Sequence, residues 1–296
     1  MRVAILGNFD GVHRGHQEVI ARARQRASAA VPADQVVAVT FDPHPTAVLR
    51  PGHEPARLTT SERRSQLLLD AGADEVVVLP FTQEFAAQSP QEFAVLLRDE
   101  VDADVVVVGA NFRFGKGAAG NPETLAELGA QLGFDVDVVD LAGSDGTRWS
   151  STYVRARIAE GDVAGAAEAL GRPHRVDGVV RRGDARGRDL GYPTANVEVA
   201  PGTAIPPDGV YAGYLLAAGE RHPAAISVGT NPQFGGAERR IEAYALGRDD
   251  LSLYDEGAGV EFIAFLRGQQ VFPSVEDLVE QMERDVAAAE GALGDG

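Results

Sequence analysis

Two histidines, His13 and His16, stand three positions apart in the stretch GNFDGVHRGHQ, residues 7 to 17, just after the short apolar run Val3 to Leu6. The run ends as a strand near Asn8, and a helix opens near His16. Gly11 and Gly15 let backbone come close to a ligand in the turn between them. A helix N-terminus presents unpaired N–H groups and the positive end of a dipole, so phosphate is the natural guest. His13 and His16 are then placed to hydrogen-bond phosphate oxygens and to stabilise the charge that builds as a phosphoryl or nucleotidyl bond exchanges. Zinc is the competing guest, but it needs a third ligand, and His44 is the near candidate.

Three further stretches carry polar groups where strands are expected to end. TFDPHP sets Asp42 and His44 in an extended turn fixed by Pro43 and Pro45. VVVGANFRFGKGAAGN offers Asn111 and Arg113 ahead of a glycine-rich loop. RWSSTYVRARIAEGD places Ser150, Ser151 and Thr152 at a helix start, with Arg155 on its first turn. Singly these read as a proline turn, a loop and a helix cap; converging on one sheet edge, they read as a site.

The second half holds a different set. GVVRRGDARGRDLGYPTANV, residues 178 to 197, packs Gly183, Arg186, Gly187 and Gly191 ahead of Thr194 and Asn196. Glycine-rich backbone can turn its N–H groups onto phosphates. Thr194 and Asn196, alternate residues of an extended segment, point to the same side. A hydroxyl and an amide oxygen together suit Mg2+ carried by ATP.

The elements that must position these groups follow from periodicity. Up to about residue 170, β-branched runs alternate with amphipathic stretches, which predicts a parallel sheet with strands at residues 2–8, 35–41, 75–79, 103–109 and 135–141. Helices are expected at 16–30, 61–71, 90–101 and 122–132, with caps at Thr60 and Asn121. Such a sheet binds ligands beyond the carboxyl ends of its strands. After Arg172 the strands are short and punctuated by Gly and Pro, predicting a small antiparallel barrel closed by a helix from Ser274 to about Leu293. The fold class is α/β with an appended barrel, and the expected domains are 1–171 and 172–296.

The 296 residues carry a formal charge of −17, which argues against general affinity for nucleic acid or anionic membrane. There is no cysteine, so disulfides and thiolate metal sites are excluded. The opening residues are too short an apolar stretch for a signal peptide, and no window approaches a membrane span, so a cytoplasmic protein is expected, as monomer or weak homo-oligomer.

His-x-Gly-His in its strand-loop-helix setting resembles the nucleotidylyltransferase superfamily. Together, GNFDGVHRGHQ, TFDPHP, VVGANFRFG and SSTYVR resemble the FMN adenylyltransferase module of the bacterial bifunctional riboflavin kinase/FAD synthetase family. GDARGRDLGYPTAN, DGVYAG, AISVGTNPQFGG and IEAYAL follow the riboflavin kinase module in order. The resemblance spans nearly the whole chain. It implies that riboflavin is phosphorylated to FMN and FMN adenylylated to FAD with release of pyrophosphate, both from Mg2+-ATP. It assigns Asn8, His13, His16 and Asn111 to ATP in the first module, with Ser151 and Arg155 on the departing pyrophosphate. In the second it assigns Gly183, Arg186, Gly187 and Gly191 to ATP, Thr194 and Asn196 to Mg2+-ATP, and Glu242 as the base for the riboflavin 5'-hydroxyl. Asp42, His44 and Arg267 are the candidate flavin contacts.

Four places depart from the family pattern. The chain starts almost on the first strand, where a lead segment is usual, giving the expectation of either a shortened first β-element or a misassigned start codon. Gly247 stands where Asp is common, Asp255 where Gly is usual, and LRGQQVF lacks an acidic-basic pair before its Phe. The last three border the presumed flavin side of the kinase and bear on riboflavin affinity and analogue choice. Three other readings compete: an enzyme that keeps only one of the two activities or acts on a riboflavin analogue; transfer of a nucleotide to another phosphorylated metabolite, which explains the first half only; and a flavin- or nucleotide-sensing module without turnover.

Overall fold

The computed structural model describes residues 1–27, 34–140, 149–182, 190–230 and 239–294. Residues 1–55 and 60–150 form one compact unit, and residues 56–59 join 151–296 in a second.

The first unit runs β1 (Arg2–Leu6), α1 (Arg14–Arg26), β2 (Gln35–Asp42), α2 (Pro45–Leu49), α3 (Ser61–Asp70), β3 (Glu75–Pro80), α4 (Gln83–Ala86), α5 (Pro90–Asp99), β4 (Val105–Gly109), α6 (Pro122–Leu132) and β5 (Asp135–Val139). The five strands are parallel in the order β3-β2-β1-β4-β5. Central strands alternate their apolar side chains between two cores. Ala4, Leu6, Val37, Val39 and Val106 pack with Phe93, Leu97 and Leu125 on one face. Val3, Ile5, Val36, Ala38 and Val105 pack with Val19, Ile20, Leu67 and Leu68 on the other. Both faces are therefore covered, as the unbroken apolar runs require.

The expected caps hold their helices, Thr60 accepting from Arg63 N–H and Asn121 from Thr124 N–H, and at α5 the structure adds a reciprocal box between Ser89 and Glu92. The first strand ends at Leu6 rather than Asn8. Gly7 N–H still donates to Val39 O, and the chain then turns away through Phe9 at φ +48°. Helices α2 and α4 span five and four residues, too short to show a helical period in the sequence.

The second unit contains α7 (Ser151–Ala159), α8 (Val163–Leu170), β6 (His174–Arg181), β7 (Ala195–Val199), β8 (Gly209–Ala217), β9 (Glu220–Thr230), β10 (Arg239–Ala245), β11 (Gly257–Arg267) and α9 (Val275–Leu293). The strands close into an antiparallel barrel in the order β10-β7-β6-β11-β8-β9. Val176, Val180, Val197, Leu215, Ile226, Ile241, Val260 and Phe262 fill its interior. Ser274 caps α9 by accepting from Asp277 N–H, as the Ser-x-x-Asp spacing predicts, and α9 packs on β8, β9 and β11. No helix among the described residues is long and apolar enough to cross a membrane.

Candidate active sites

In the first unit, β1 lies between β2 and β4, and strand order reverses there, since the chain passes from β3 to β4 across the sheet. In an open parallel sheet the crevice at this reversal is where ligands sit. The loop after β1 carries Asn8, His13 and His16; the loop after β2 carries Asp42 and His44; the turn after β4 carries Asn111. The sheet therefore brings six of the expected residues to the carboxyl ends of three adjacent strands.

Within the β1 loop, backbone is drawn tight. Phe9, Gly11 and Val12 take φ of +48°, +83° and +40°, and Phe9 and Val12 are both 1% exposed. Left-handed backbone at two non-glycine residues is held only where packing over-determines it, a pattern concentrated at ligand sites. His13 sits at the N-cap of α1 without a side-chain capping bond, so α1 leaves N–H groups for another acceptor. Its ring stacks on that of His16 with centroids 3.6 Å apart, and Phe9 meets His16 edge-on at 5.1 Å. Gly15 makes the stack possible: a Cβ there would lie 3.3 Å from the His13 ring and 3.3 Å from Trp149 O.

His44 caps α2, its Nδ1 accepting from Thr46 N–H at 3.2 Å, and Asp42 precedes Pro43 through a cis peptide. Among the described residues no group of three or more His, Cys, Asp and Glu side chains is arranged to hold a metal ion, so the zinc reading of His13 and His16 finds no completed ligand set.

Two features of this edge escape the sequence motifs. Phe41, Phe81, Phe85, Phe93, Phe114 and Phe112 form a continuous run of ring contacts, each centroid within 6.1 Å of the next. Arg64 on α3, only 6% exposed, reaches the ends of two strands: Nη1 donates to Asn8 O at 3.2 Å and Nη2 to Phe41 O at 3.0 Å. Its place three and four residues before buried Leu67 and Leu68 was the available signal, an arginine on the apolar side of an amphipathic helix.

The second site lies on the barrel's outer face. Ile241 and Ala243 point inward and are 0% and 1% exposed, so Glu242 between them points out. Glu242 stands directly opposite Asn196 on β7 and opposite Ser227 on β9, while Asn196 stands opposite Arg181 on β6. Asn196, Glu242 and Ser227 thus bring three oxygen-bearing side chains to one patch of sheet. Thr194 lies just before β7 begins, and Tyr192 meets Tyr244 edge-on at 5.2 Å. Gly191 takes φ +86°, and Gly183, Arg186 and Gly187 lie outside the described residues.

The sequence departures have structural counterparts. Gly247 and Asp255 both adopt left-handed backbone, at φ +67° and +62°. Asp is one of the few residues that tolerates this, and here its carboxylate also accepts from Arg181 Nη1 at 2.6 Å, while Arg181 Nε reaches Glu198 at 2.8 Å. Gln269 of LRGQQVF turns back onto β9, donating to Val228 O at 2.9 Å and Ser227 Oγ at 3.2 Å. Arg267 gives Nε and Nη2 to the two oxygens of Asp285, at 2.7 and 2.6 Å, locking β11 to α9. Ser151 and Arg155 lie on α7 in the second compact unit, with Arg155 Nε donating to Ala56 O at 2.6 Å.

The FAD synthetase family matches residues 1–153 and the riboflavin kinase family residues 170–293. The chain is 36% identical to the bifunctional riboflavin kinase/FMN adenylyltransferase of Listeria monocytogenes, covering 96% of this chain and 90% of that protein. It is 34% identical to the protein of that name in Escherichia coli K12, covering 99% and 93%, and 37% identical to that of Pseudomonas fluorescens, covering 97% and 91%. A crystal structure described as a macrolide-efflux protein from Streptococcus pneumoniae shares the fold, with a TM-score of 0.87, 31% identity and coverage of 97% of this chain and 93% of that one. Sheet and barrel are thus matched in order along nearly the full length of these relatives, and the chain belongs to the bifunctional riboflavin kinase/FMN adenylyltransferase family.

Proposed function

We propose that this chain is a two-step flavin-cofactor enzyme: its barrel phosphorylates riboflavin to FMN, and its sheet unit adenylylates FMN to FAD, each at the expense of ATP. Both steps follow from family membership. The residue assignments below rest on the geometry described above together with the motifs that match the family.

The observation that carries the two-step reading is the direct opposition of Asn196 and Glu242 across β7 and β10. The phosphate loop after β1 would suit several acceptors; a carboxylate and a hard oxygen donor side by side on the barrel supply a second, separate phosphoryl-transfer site. In it Glu242 takes the proton from the riboflavin 5'-hydroxyl as that oxygen bonds to the γ-phosphorus and the bond to the departing ADP breaks. The donor set of Thr194 hydroxyl, Asn196 amide oxygen and nearby carboxylate fits Mg2+, a hard cation that prefers oxygen ligands. Thr194 and Asn196 would hold it. Bound there, Mg2+ supplies neutralisation of the ATP phosphate charge. Gly183, Arg186, Gly187 and Gly191 are assigned to the ATP phosphates.

In the sheet unit, a phosphate oxygen of FMN attacks the α-phosphorus of ATP in line, and the bond to pyrophosphate breaks. No covalent enzyme intermediate is needed, because positioning and charge stabilisation suffice. Asn8, His13 and His16 hold ATP phosphates and Asn111 the nucleotide. Ser151 and Arg155 are assigned to the pyrophosphate. Asp42 and His44 are assigned to the flavin, with the half-buried Phe81, Phe85 and Phe112, backed by core Phe41, Phe93 and Phe114, offering apolar ring surface at the same edge. Arg267, already committed to Asp285, serves the kinase flavin side by holding β11 to α9. The assigned domains are 1–171 and 172–296. With a charge of −17, the enzyme is assigned small-molecule partners rather than nucleic acid, in the cytoplasm, as monomer or weak homo-oligomer.

A timed chromatographic assay of the purified chain with ATP and Mg2+ tests the reading. Riboflavin should give FMN and then FAD; FMN alone should give FAD and pyrophosphate. Failure to form either product defeats it.

A further inference from the structure

We propose that Arg64 is a positioning residue for adenylyl transfer, its guanidinium clamping the ends of β1 and β2 so that the loops bearing Asn8, His13 and His16 and bearing Asp42 and His44 keep one mutual arrangement. This rests on the adenylyltransferase reading of the sheet unit.

Burying a guanidinium sacrifices much of its hydration, and apolar residues of like volume commonly serve stability as well or better. Arg64 is nonetheless 6% exposed, on a helix face whose neighbours Leu67 and Leu68 are buried. Its bonds go to positions a packing residue could not reach. Nη1 meets Asn8 O, and Nη2 meets both Phe41 O and Ser61 Oγ, at 3.2, 3.0 and 3.3 Å. Asn8 follows the end of β1 and Phe41 is the penultimate residue of β2, so one planar fork spans two neighbouring strands at the edge where ligands bind.

The Asn8 carbonyl is fixed twice, since Thr40 Oγ also donates to it at 3.2 Å. With that peptide held, Phe9 can sustain its left-handed backbone and the chain is delivered to the N-terminus of α1 in a single orientation. Lysine cannot replace this arrangement, because an ammonium is a point charge without a planar fork.

The environment of Arg64 is not tuned for stability alone. Its Nε–H is buried and meets no acceptor among the described residues, and its ion-pair partner Asp42 stands 3.9 Å away and is itself largely exposed. Burial holds the guanidinium pKa below the usual arginine value, against the pull of Asp42 and Asp10. Those two acids belong to FDPHP and GNFDG, so the charge of Arg64 faces both loops.

The test uses the full chain and the variants Arg64→Met, Arg64→Lys and Arg64→Ala. With FMN supplied, Arg64→Met should lower kcat for FAD formation about 100-fold, the scale of a misplacement near 1 Å at a reacting centre, while KM for ATP moves less. Arg64→Lys should fall between Met and wild type. Guanidinium ion added to Arg64→Ala should restore part of the rate, a response that general loss of packing would not give. Riboflavin phosphorylation should stay within about twofold throughout, since its groups lie on the barrel. A folded Arg64→Met with kcat within about twofold of wild type overturns the proposal. If Arg64→Met does not fold, Arg64→Lys with wild-type kcat overturns it equally. If wild type itself makes no FAD, the adenylyltransferase reading falls and takes this proposal with it; wild-type FAD synthesis with indifferent variants removes the proposal alone.

Discussion

Asn196 and Glu242 face each other directly across the β7 and β10 ladder, on the outer side of a barrel whose interior is packed with apolar side chains such as Val197, Ile226 and Ile241. Neither residue is close to the other in sequence. Only antiparallel pairing in this register makes a carboxylate and an amide oxygen neighbours, because a slip of one residue would send one of them into the core.

Glu242→Gln should lower riboflavin phosphorylation about 100-fold or more, the usual contribution of a positioned base. FAD formation from supplied FMN should continue. Product chromatography with each flavin in turn separates the two activities, and equal loss of both would contradict independent sites.

The converse holds for His16→Ala. On the proposed role of His16 against developing phosphate charge, its loss should reduce FAD formation by about 100-fold. FMN should then accumulate from riboflavin, which flavin fluorescence after chromatography reads directly.

Gly15→Ala probes the stacked histidines without removing either. The added methyl would sit 3.3 Å from both the His13 ring and Trp149 O, so the ring must give way. FAD formation should drop about tenfold, on the scale of a sub-ångström displacement, with little change in thermal midpoint. Unchanged turnover would show that the ring has room to move.

At Asp255, φ +62° makes side-chain shape decisive. Asp255→Val should destabilise by about 1–2 kcal/mol, the cost of left-handed backbone for a branched residue. Asp255→Gly should stay within about 0.5 kcal/mol, because relief of the backbone offsets loss of an exposed ion pair with Arg181. Urea midpoints of the two variants decide the order.

Tyr211 adds an alkaline limit. Burial raises its hydroxyl pKa to about 12, from an ordinary value of 10.0, while the hydroxyl donates to Pro207 O at 2.7 Å. Between those values the unfolded chain releases this proton and the folded one keeps it, so unfolding is favoured as pH rises above 10. Denaturant midpoints at pH 9, 10 and 11 should therefore fall more steeply for wild type than for Tyr211→Phe.

Much of this architecture was legible because the signals are local. Unbroken β-branched runs marked the strands of a sheet covered on both faces, and Thr60, Asn121 and Ser274 announced their helices through spacing alone. The histidine loop could be read as a phosphate site because strand, glycine turn and helix mouth occur within eleven residues. Helices α2 and α4 were not legible, being too short to repeat a helical period of 3.6 residues. The phenylalanine run was hidden for another reason: its rings come from five separate elements or loops, and each alone is an ordinary apolar residue.

The sequence by itself determined the two fold types and the family to which both halves belong, and it marked His13 and His16 as candidate phosphate contacts, because periodicity, turn chemistry and motif spacing are all read locally along the chain. Tertiary structure decided which distant groups share a surface. It set Glu242 against Asn196, placed the loops after β1, β2 and β4 at one sheet edge, and aimed buried Arg64 at carbonyls 56 and 23 residues away. Those relations depend on strand register and packing, which no local spacing encodes.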